Sequence, residues 1–218
     1  MKKLLIFGAS GYVGRHCLQH TGEKYDPTGV YRPPTRFGKL SLDFLDPDYE
    51  LFLATLGSKQ FDAVLFAQGI NPRAGFQDIT DLDFDEMLRI NIITPTIILQ
   101  KMKENNLASD ANVFFLSSIA KEKGSYDPSY AAAKSAMVGL QRSLASSNRD
   151  MRFNILSLGL VGGSPVQTGM TSDFLDRHLT AMNGRLVDVS DICKTIDFLI
   201  DCKSVSTHDL KVDCGFRV

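Results

Sequence analysis

Apolar residues in this chain cluster in short runs separated by longer amphipathic stretches. "LLIF" (4–7), "TGVY" (28–31), "LSLD" (40–43), "AVLFA" (63–67), "VFFLS" (113–117), "FNILSL" (153–158) and "LKVD" (210–213) read as seven strands. Most lack the polar alternation of a strand with one wet face, so they are expected to be covered on both sides. Helical patterns fall between most of them. That alternation predicts an α/β architecture, a doubly wound parallel seven-stranded sheet in a single domain over residues 1–218. No linker, repeat or low-complexity segment interrupts it.

Three helices are specific. "DFDEMLRINIITPTIILQKMKENN" puts acidic residues first and lysines last, which suits the helix dipole. Pro95 inside it predicts a kink or break near Ile92, because proline brings no N–H. "DPSYAAAKSAMVGLQRSLASS" opens with Asp127 as N-cap and Pro128 as first helical residue. "SDICKTIDFLID" is the third. Only "RPPTRFGK" separates the second and third strands, too short and too proline-rich for a crossover helix, so an extended connection is expected. "TGMTSDFLDRHLTAM" reads as one or two short helices over a cleft.

Composition narrows the function. The 218 residues are 44% hydrophobic and 22% charged, with a formal net charge of −1. That balance argues against an electrostatic grip on nucleic acid or on an anionic membrane. No apolar run reaches transmembrane length, and glycines interrupt the opening run before it resembles a signal peptide. The four cysteines (Cys17, Cys193, Cys202, Cys214) have no paired spacing, which fits a reducing cytoplasm and no metal site.

Chemistry enters at "LLIFGASGYVGRH": a buried strand, a turn with Gly8, Gly11 and Gly14, then a helix. A dinucleotide pyrophosphate needs such a turn, because glycines permit close backbone approach and a helix N-terminus offers unpaired N–H groups. Ser10, Tyr12 and Val13 complete the candidate cradle. An acidic residue ending the second strand would favour NAD. Between Pro27 and Leu42 there is none; Arg32, Arg36 and Lys39 stand there instead, and Arg15 follows the turn. Such cations suit a 2′-phosphate, so NADP is expected rather than NAD.

Tyr130 and Lys134 in "SYAAAKSAM" are four apart and share a helix face. A tyrosine hydroxyl with a pKa of about 10 is a poor proton shuttle at neutral pH. A nearby ammonium is expected to lower it, which makes the pair a general acid/base candidate. Taken with the ordered segments "GASGYVG", "LDFLD", "FAQG", "RINII", "FFLSS", "SYAAAK", "NGRLVDVSDI" and "KVDCG", the chain resembles the short-chain dehydrogenase/reductase family. The likeness is to its compact single-domain branch, which includes acyl-carrier-protein ketoreductases.

The resemblance implies a Rossmann fold and a role for each matched residue. Tyr130 would exchange a proton with a carbonyl or secondary alcohol, and Lys134 would hold the nicotinamide ribose. Ser118, with Ser117 as fallback, would hydrogen-bond the substrate oxygen, and Asn91 would hold a water linking Lys134 to solvent. Asp43 and the Phe44 backbone would meet the adenine. Ala67 and Gly69 would pack near the adenosine ribose, and the Val161 backbone would face the carboxamide. It implies a small-molecule carbonyl or alcohol substrate and a homodimer or homotetramer built on the helices near Asp83 and Pro128. Ile92, Ile97, Ile98, Met137 and Leu140 serve either that interface or the core. The chain departs from the family at Gln68, where alanine is usual, and near "GLVGGSPVQTGM", where Thr168 or Ser164 must stand in for a phosphate-contacting threonine. The G-x-x-G-x-x-G spacing keeps open a sugar or nucleotide-sugar modifying enzyme. A non-catalytic NADP-binding sensor is the third alternative.

Overall fold

The structure, a computed structural model, describes residues 1–34, 40–71 and 74–217. The chain runs β1 (Lys3–Phe7), α1 (Tyr12–Thr21), β2 (Asp26–Val30), α2 (Tyr49–Leu56) and β3 (Phe61–Phe66). It continues α3 (Asp81–Leu88), α4 (Thr94–Met102), β4 (Leu107–Ser118), α5 (Ala120–Lys123) and α6 (Pro128–Ser147). Last come β5 (Arg152–Leu158), α7 (Pro165–Thr168), α8 (Ser172–Ala181), α9 (Val189–Asp201) and β6 (Asp209–Val212). All strand pairs are parallel, in the order β2-β1-β3-β4-β5-β6. Order reverses between β1 and β3, so the cleft opens at the carboxyl ends of those strands.

Among the described residues the sheet has six strands rather than the seven expected. "LSLD" lies beside β2 in the right direction, but only Tyr31 and Ser41 bridge, with two backbone hydrogen bonds around them. One bridge does not make a strand, because the chain turns away at once: the Asp43 side chain accepts the Leu45 N–H. Arg32 to Pro34 carry no helix, as expected. The rest of that connection, with Arg36 and Lys39, lies outside the described residues.

Both faces of the sheet are covered. Phe7, Phe66 and Phe115 stack across three strands on one face, over Ile98, Met102 and Met137 from α4 and α6. Leu4, Ile6, Phe114 and Leu156 meet Cys17 of α1 and Ile192, Ile196 and Leu199 of α9 on the other. Ile98 and Met137, left open between core and interface, are core; Ile92 and Leu140 are partly buried against it. Among the described residues no helix is long and apolar enough to cross a membrane.

Two local details place the site. Between α3 and α4 the chain makes a π-helical turn, Arg89–Ile93, closed by a bond from the Thr94 N–H to the Arg89 carbonyl. Pro95 sits in the first turn of α4 and offers no N–H to the Asn91 carbonyl four residues back, which explains the break where it was expected. At the start of α6, Asp127 caps the helix: its Oδ1 accepts the Tyr130 N–H at 3.0 Å and the Ser129 hydroxyl at 2.6 Å.

Candidate active site

The four residues expected to do chemistry come from three elements and converge. Ser118 ends β4, Asn91 lies in the π-helical turn, and Tyr130 and Lys134 occupy successive turns of α6. Lys134 is buried, and its Nζ donates to Asn91 Oδ1 at 2.8 Å and to the Leu116 carbonyl at 2.9 Å. The same Nζ stands 5.7 Å from the centre of the Tyr130 ring. Asn91 is fully buried and oriented from behind, since its Nδ2 donates to the Met87 carbonyl at 2.8 Å.

The two serines face different tasks. Ser117 Oγ is buried and donates to the Lys134 backbone carbonyl at 3.2 Å, which pins α6 to β4. Ser118 Oγ accepts the Ala120 N–H at 3.1 Å and is the hydrogen-bond partner of Tyr130. Ser118, unlike Ser117, is thus placed against the Tyr130 hydroxyl.

Burial controls the electrostatics. It lowers the Lys134 ammonium to about 8, because a low-dielectric surround penalises the charge. Burial also raises the Tyr130 hydroxyl above its ordinary value; the bond with Ser118 pulls it down and the Asp127 carboxylate pushes it up. The lowering expected from a neighbouring ammonium does not prevail, because burial is the largest influence on this hydroxyl and favours its neutral form. Tyr130 is thus held protonated, the form a proton donor needs.

Several of the residues expected to hold a cofactor line one opening. Gly8 has φ +76, and a Cβ there would lie 2.5 Å from the Gln68 nitrogen; one on Gly14 would lie 2.3 Å from the Gly8 carbonyl. Gly11 is the N-cap of α1, with no side-chain cap and no acidic residue in the first turn, so the helix end favours an anion. Ser10 and Gly11 are exposed at the turn. Beside it is an open cleft lined by Gly8, Arg32, Asp43, Phe44, Gln68 and Gly69, among others. A Cβ on Gly69 would lie 3.9 Å from Lys134 Nζ, so the cleft borders the buried lysine. A glycine turn without room for side chains, continuous with a cleft edged by arginine and aspartate, fits a dinucleotide.

Other expected contacts are modified. The Phe44 carbonyl is taken by the Thr94 hydroxyl at 2.8 Å. Thr168 Oγ1 donates to the Ser164 carbonyl at 3.2 Å and Ser164 caps α7, so both hydroxyls already serve their own short helix. Val161 is buried and bridges Val187. Ala67 donates its N–H to the Phe7 carbonyl, which seats the strand end beside the glycine turn. Gln68, noted only as a departure, ties the cleft to the π-helical turn: its Nε2 donates to the Ile90 carbonyl at 3.1 Å. Its Oε1 is buried with no hydrogen-bond partner among the described residues.

Comparison with known proteins shows the family and the fold. Residues 52–217 match the model of a family described as enoyl-(acyl carrier protein) reductase. Carbonyl reductase family member 4 of Xenopus laevis is 27% identical over 166 residues, 72% of this chain and 67% of that protein. A 3-oxoacyl-(acyl-carrier-protein) reductase of Mus musculus is 21% identical over 100% of this chain and 98% of its own. A double mutant of a Serratia marcescens short-chain dehydrogenase/reductase has a TM-score of 0.83 at 19% identity, over 100% of this chain and 98% of that one. A blue fluorescent protein from a metagenomic library, in complex with NADPH, gives 0.83 at 20%, also over 100% and 98%. A 4-hydroxyisoleucine dehydrogenase complexed with NADH gives 0.79 at 17%, over 99% and 98%. At such identities the solved structures establish a shared fold.

Proposed function

The chain belongs to the short-chain dehydrogenase/reductase family of oxidoreductases, and on that footing we propose that it reduces a small-molecule carbonyl, or oxidises the matching secondary alcohol, with NADP. When bound, the nicotinamide supplies or accepts the hydride. The chain's own residues handle the proton and the geometry. Tyr130 gives its phenolic proton to the substrate oxygen, and Ser118 hydrogen-bonds that oxygen to aim it. Lys134 stabilises the tyrosinate left behind and holds the ribose. Asn91 keeps Lys134 in place and offers, through its carbonyl, a site for the water that returns the proton. Arg32 at the cleft edge takes the 2′-phosphate, and Asp43 the adenine amino group. The two relatives, named as a carbonyl reductase and a 3-oxoacyl reductase, support carbonyl reduction. NADPH and NADH both occur in structures of this fold, so the choice of NADP rests on Arg32 and the missing acidic residue after β2.

The observation that carries the reading is the buried Lys134 Nζ, held by Asn91 and Leu116 between the Tyr130 ring and the cleft. Among the described residues no carboxylate pairs with this ammonium, and burying a charge without one is costly, which favours a functional over a purely structural lysine. The test is NADPH oxidation over a panel of ketones, with NADPH binding measured by fluorescence. Tyr130→Phe is expected to lose at least about 10³-fold in turnover while binding NADPH within twofold. Undiminished turnover would refute the chemistry, and binding without turnover on any substrate would favour a non-catalytic sensor. The glycine spacing favours a second reading, action on a sugar or nucleotide sugar, which such compounds in the same panel distinguish. We further propose a cytoplasmic homodimer or homotetramer packed through α3, α4 and α6; all four cysteines are free thiols, in keeping with a reducing compartment.

A further inference from the structure

Tyr12 makes a contact that its place in the glycine turn does not require. Its hydroxyl donates to the Gly162 carbonyl at 2.9 Å, across 150 positions of sequence. The fit is close: a Cβ on Gly163, where φ is +72, would lie 2.7 Å from the Tyr12 hydroxyl oxygen. The ring is backed by His16 at a centroid distance of 4.5 Å, and the His16 Nδ1 is 2.7 Å from the Tyr12 carbonyl oxygen. Gly162 is held from its other side, because its N–H donates to the Val187 carbonyl at 3.0 Å and the Val187 N–H returns to Leu160 at 2.9 Å. The loop after β5 is therefore clamped between α1 and the segment before α9.

The position of this clamp matters. β1 and β5 are separated by β3 and β4, so their carboxyl ends stand roughly 14 Å apart. Tyr12 and the loop close that span on the face covered by α1 and α9, where both pack. Tyr130 and Lys134 come from α6 on the opposite face, where Met137 and Val138 pack. The space between is where the reactive end of the cofactor belongs, and residue 161, next to the clamped glycine, is the backbone assigned above to the carboxamide.

We propose that Tyr12 is a positioning residue for the nicotinamide: its hydroxyl fixes the Gly162 carbonyl and so sets the Val161 backbone against which the carboxamide docks. The inference rests on the nicotinamide reading of the site. It separates Tyr12 from the rest of the turn, which serves the phosphates whatever the side chain at this position.

The test compares two ligands on Tyr12→Phe: NADPH, and 2′-phospho-ADP-ribose, which keeps the adenosine and phosphates but lacks nicotinamide. Tyr12→Phe is expected to weaken NADPH about three- to tenfold and to leave the fragment within twofold. Gly163→Ala attacks the same contact from the other side and is expected to give the same pattern. Thermal melts of both variants establish that they are folded, and if one is not, the other decides. Equal weakening of both ligands, or loss of neither, would overturn the assignment. If the unmutated protein binds the fragment but gains nothing from the nicotinamide, or binds neither ligand, the nicotinamide reading itself falls.

Discussion

Removing the oxygen that Asn91 offers Lys134 tests whether the buried ammonium is tuned by that contact. Nζ has two hydrogen-bond acceptors, Asn91 Oδ1 and the Leu116 carbonyl. Asn91→Leu leaves one, while the burial that holds the ammonium at about 8 stays in place. A hydrogen bond to a charged group contributes about 1.5–3 kcal/mol, and about 1.4 kcal/mol corresponds to one pH unit. The ammonium should therefore titrate about one to two units lower than in the unmutated protein. Reduction needs the charge, so kcat/KM is high below this pKa and is lost as pH rises through it. The alkaline limb of the pH profile should move down by that interval in Asn91→Leu. Asn91→Asp places a carboxylate against the same nitrogen and should move the limb up. Opposite displacements exclude general damage, since both variants give up the amide bond to Met87. Titration of ¹³C-labelled lysine reads the ammonium directly. A limb that stays put in both variants, or moves the same way in both, would refute the assignment of Lys134 as the titrating group.

Other outcomes follow from the same coordinates. Ser118→Ala should lower kcat by about 10²-fold or more, whereas Ser117→Ala should cost about 1 kcal/mol of stability and little turnover, because Ser117 only pins the Lys134 carbonyl; kinetics and denaturant melts on both variants decide. Arg32→Ala should weaken NADPH about tenfold more than NADH, from loss of a charge-assisted contact to the 2′-phosphate, and equal losses in paired titrations would count against that contact. The folded protein releases the Lys134 proton at about 8, and the unfolded chain only near 10.5. Between those values the unfolded chain holds more protons, so this group's contribution to stability rises with pH. Urea melts should then show Lys134→Met gaining about 2 kcal/mol less over the unmutated protein at pH 9.5 than at pH 7.5.

The elements legible in the sequence are those set by local rules. The apolar runs of β1, β3, β4 and β5 have no polar alternation because helices cover both faces, and Leu4 to Phe7 or Val113 to Phe115 are completely out of solvent. Asp127 and Pro128 mark the start of α6 because an N-cap acts over three residues. The break before Pro95 was visible for the same reason, since a missing N–H is felt one turn away. "LSLD" departs from its local pattern. Its alternation of apolar and polar residues is that of a strand, but strand formation depends on how many pairs its neighbour supplies. Here the neighbouring chain ends its pairing at Tyr31.

The site divides along the same line. Tyr130 and Lys134 share a face because they are one helical turn apart, and no fold is needed to see that. Their titration is another matter. An ammonium beside the phenol implies a lowered pKa; burial, which spacing does not reveal, reverses the sign. The contacts that hold Lys134 and shape the cleft join positions 18 to 150 apart: the Leu116 carbonyl, Gln68 to Ile90, Tyr12 to Gly162. Each uses a backbone carbonyl as acceptor. Every residue carries that group, so side-chain identity leaves no mark of which carbonyl is used. A motif can therefore name Tyr130 and Lys134, but the low dielectric and the acceptor pair that set their chemistry arise only when β4, the π-helical turn and α6 close on one another.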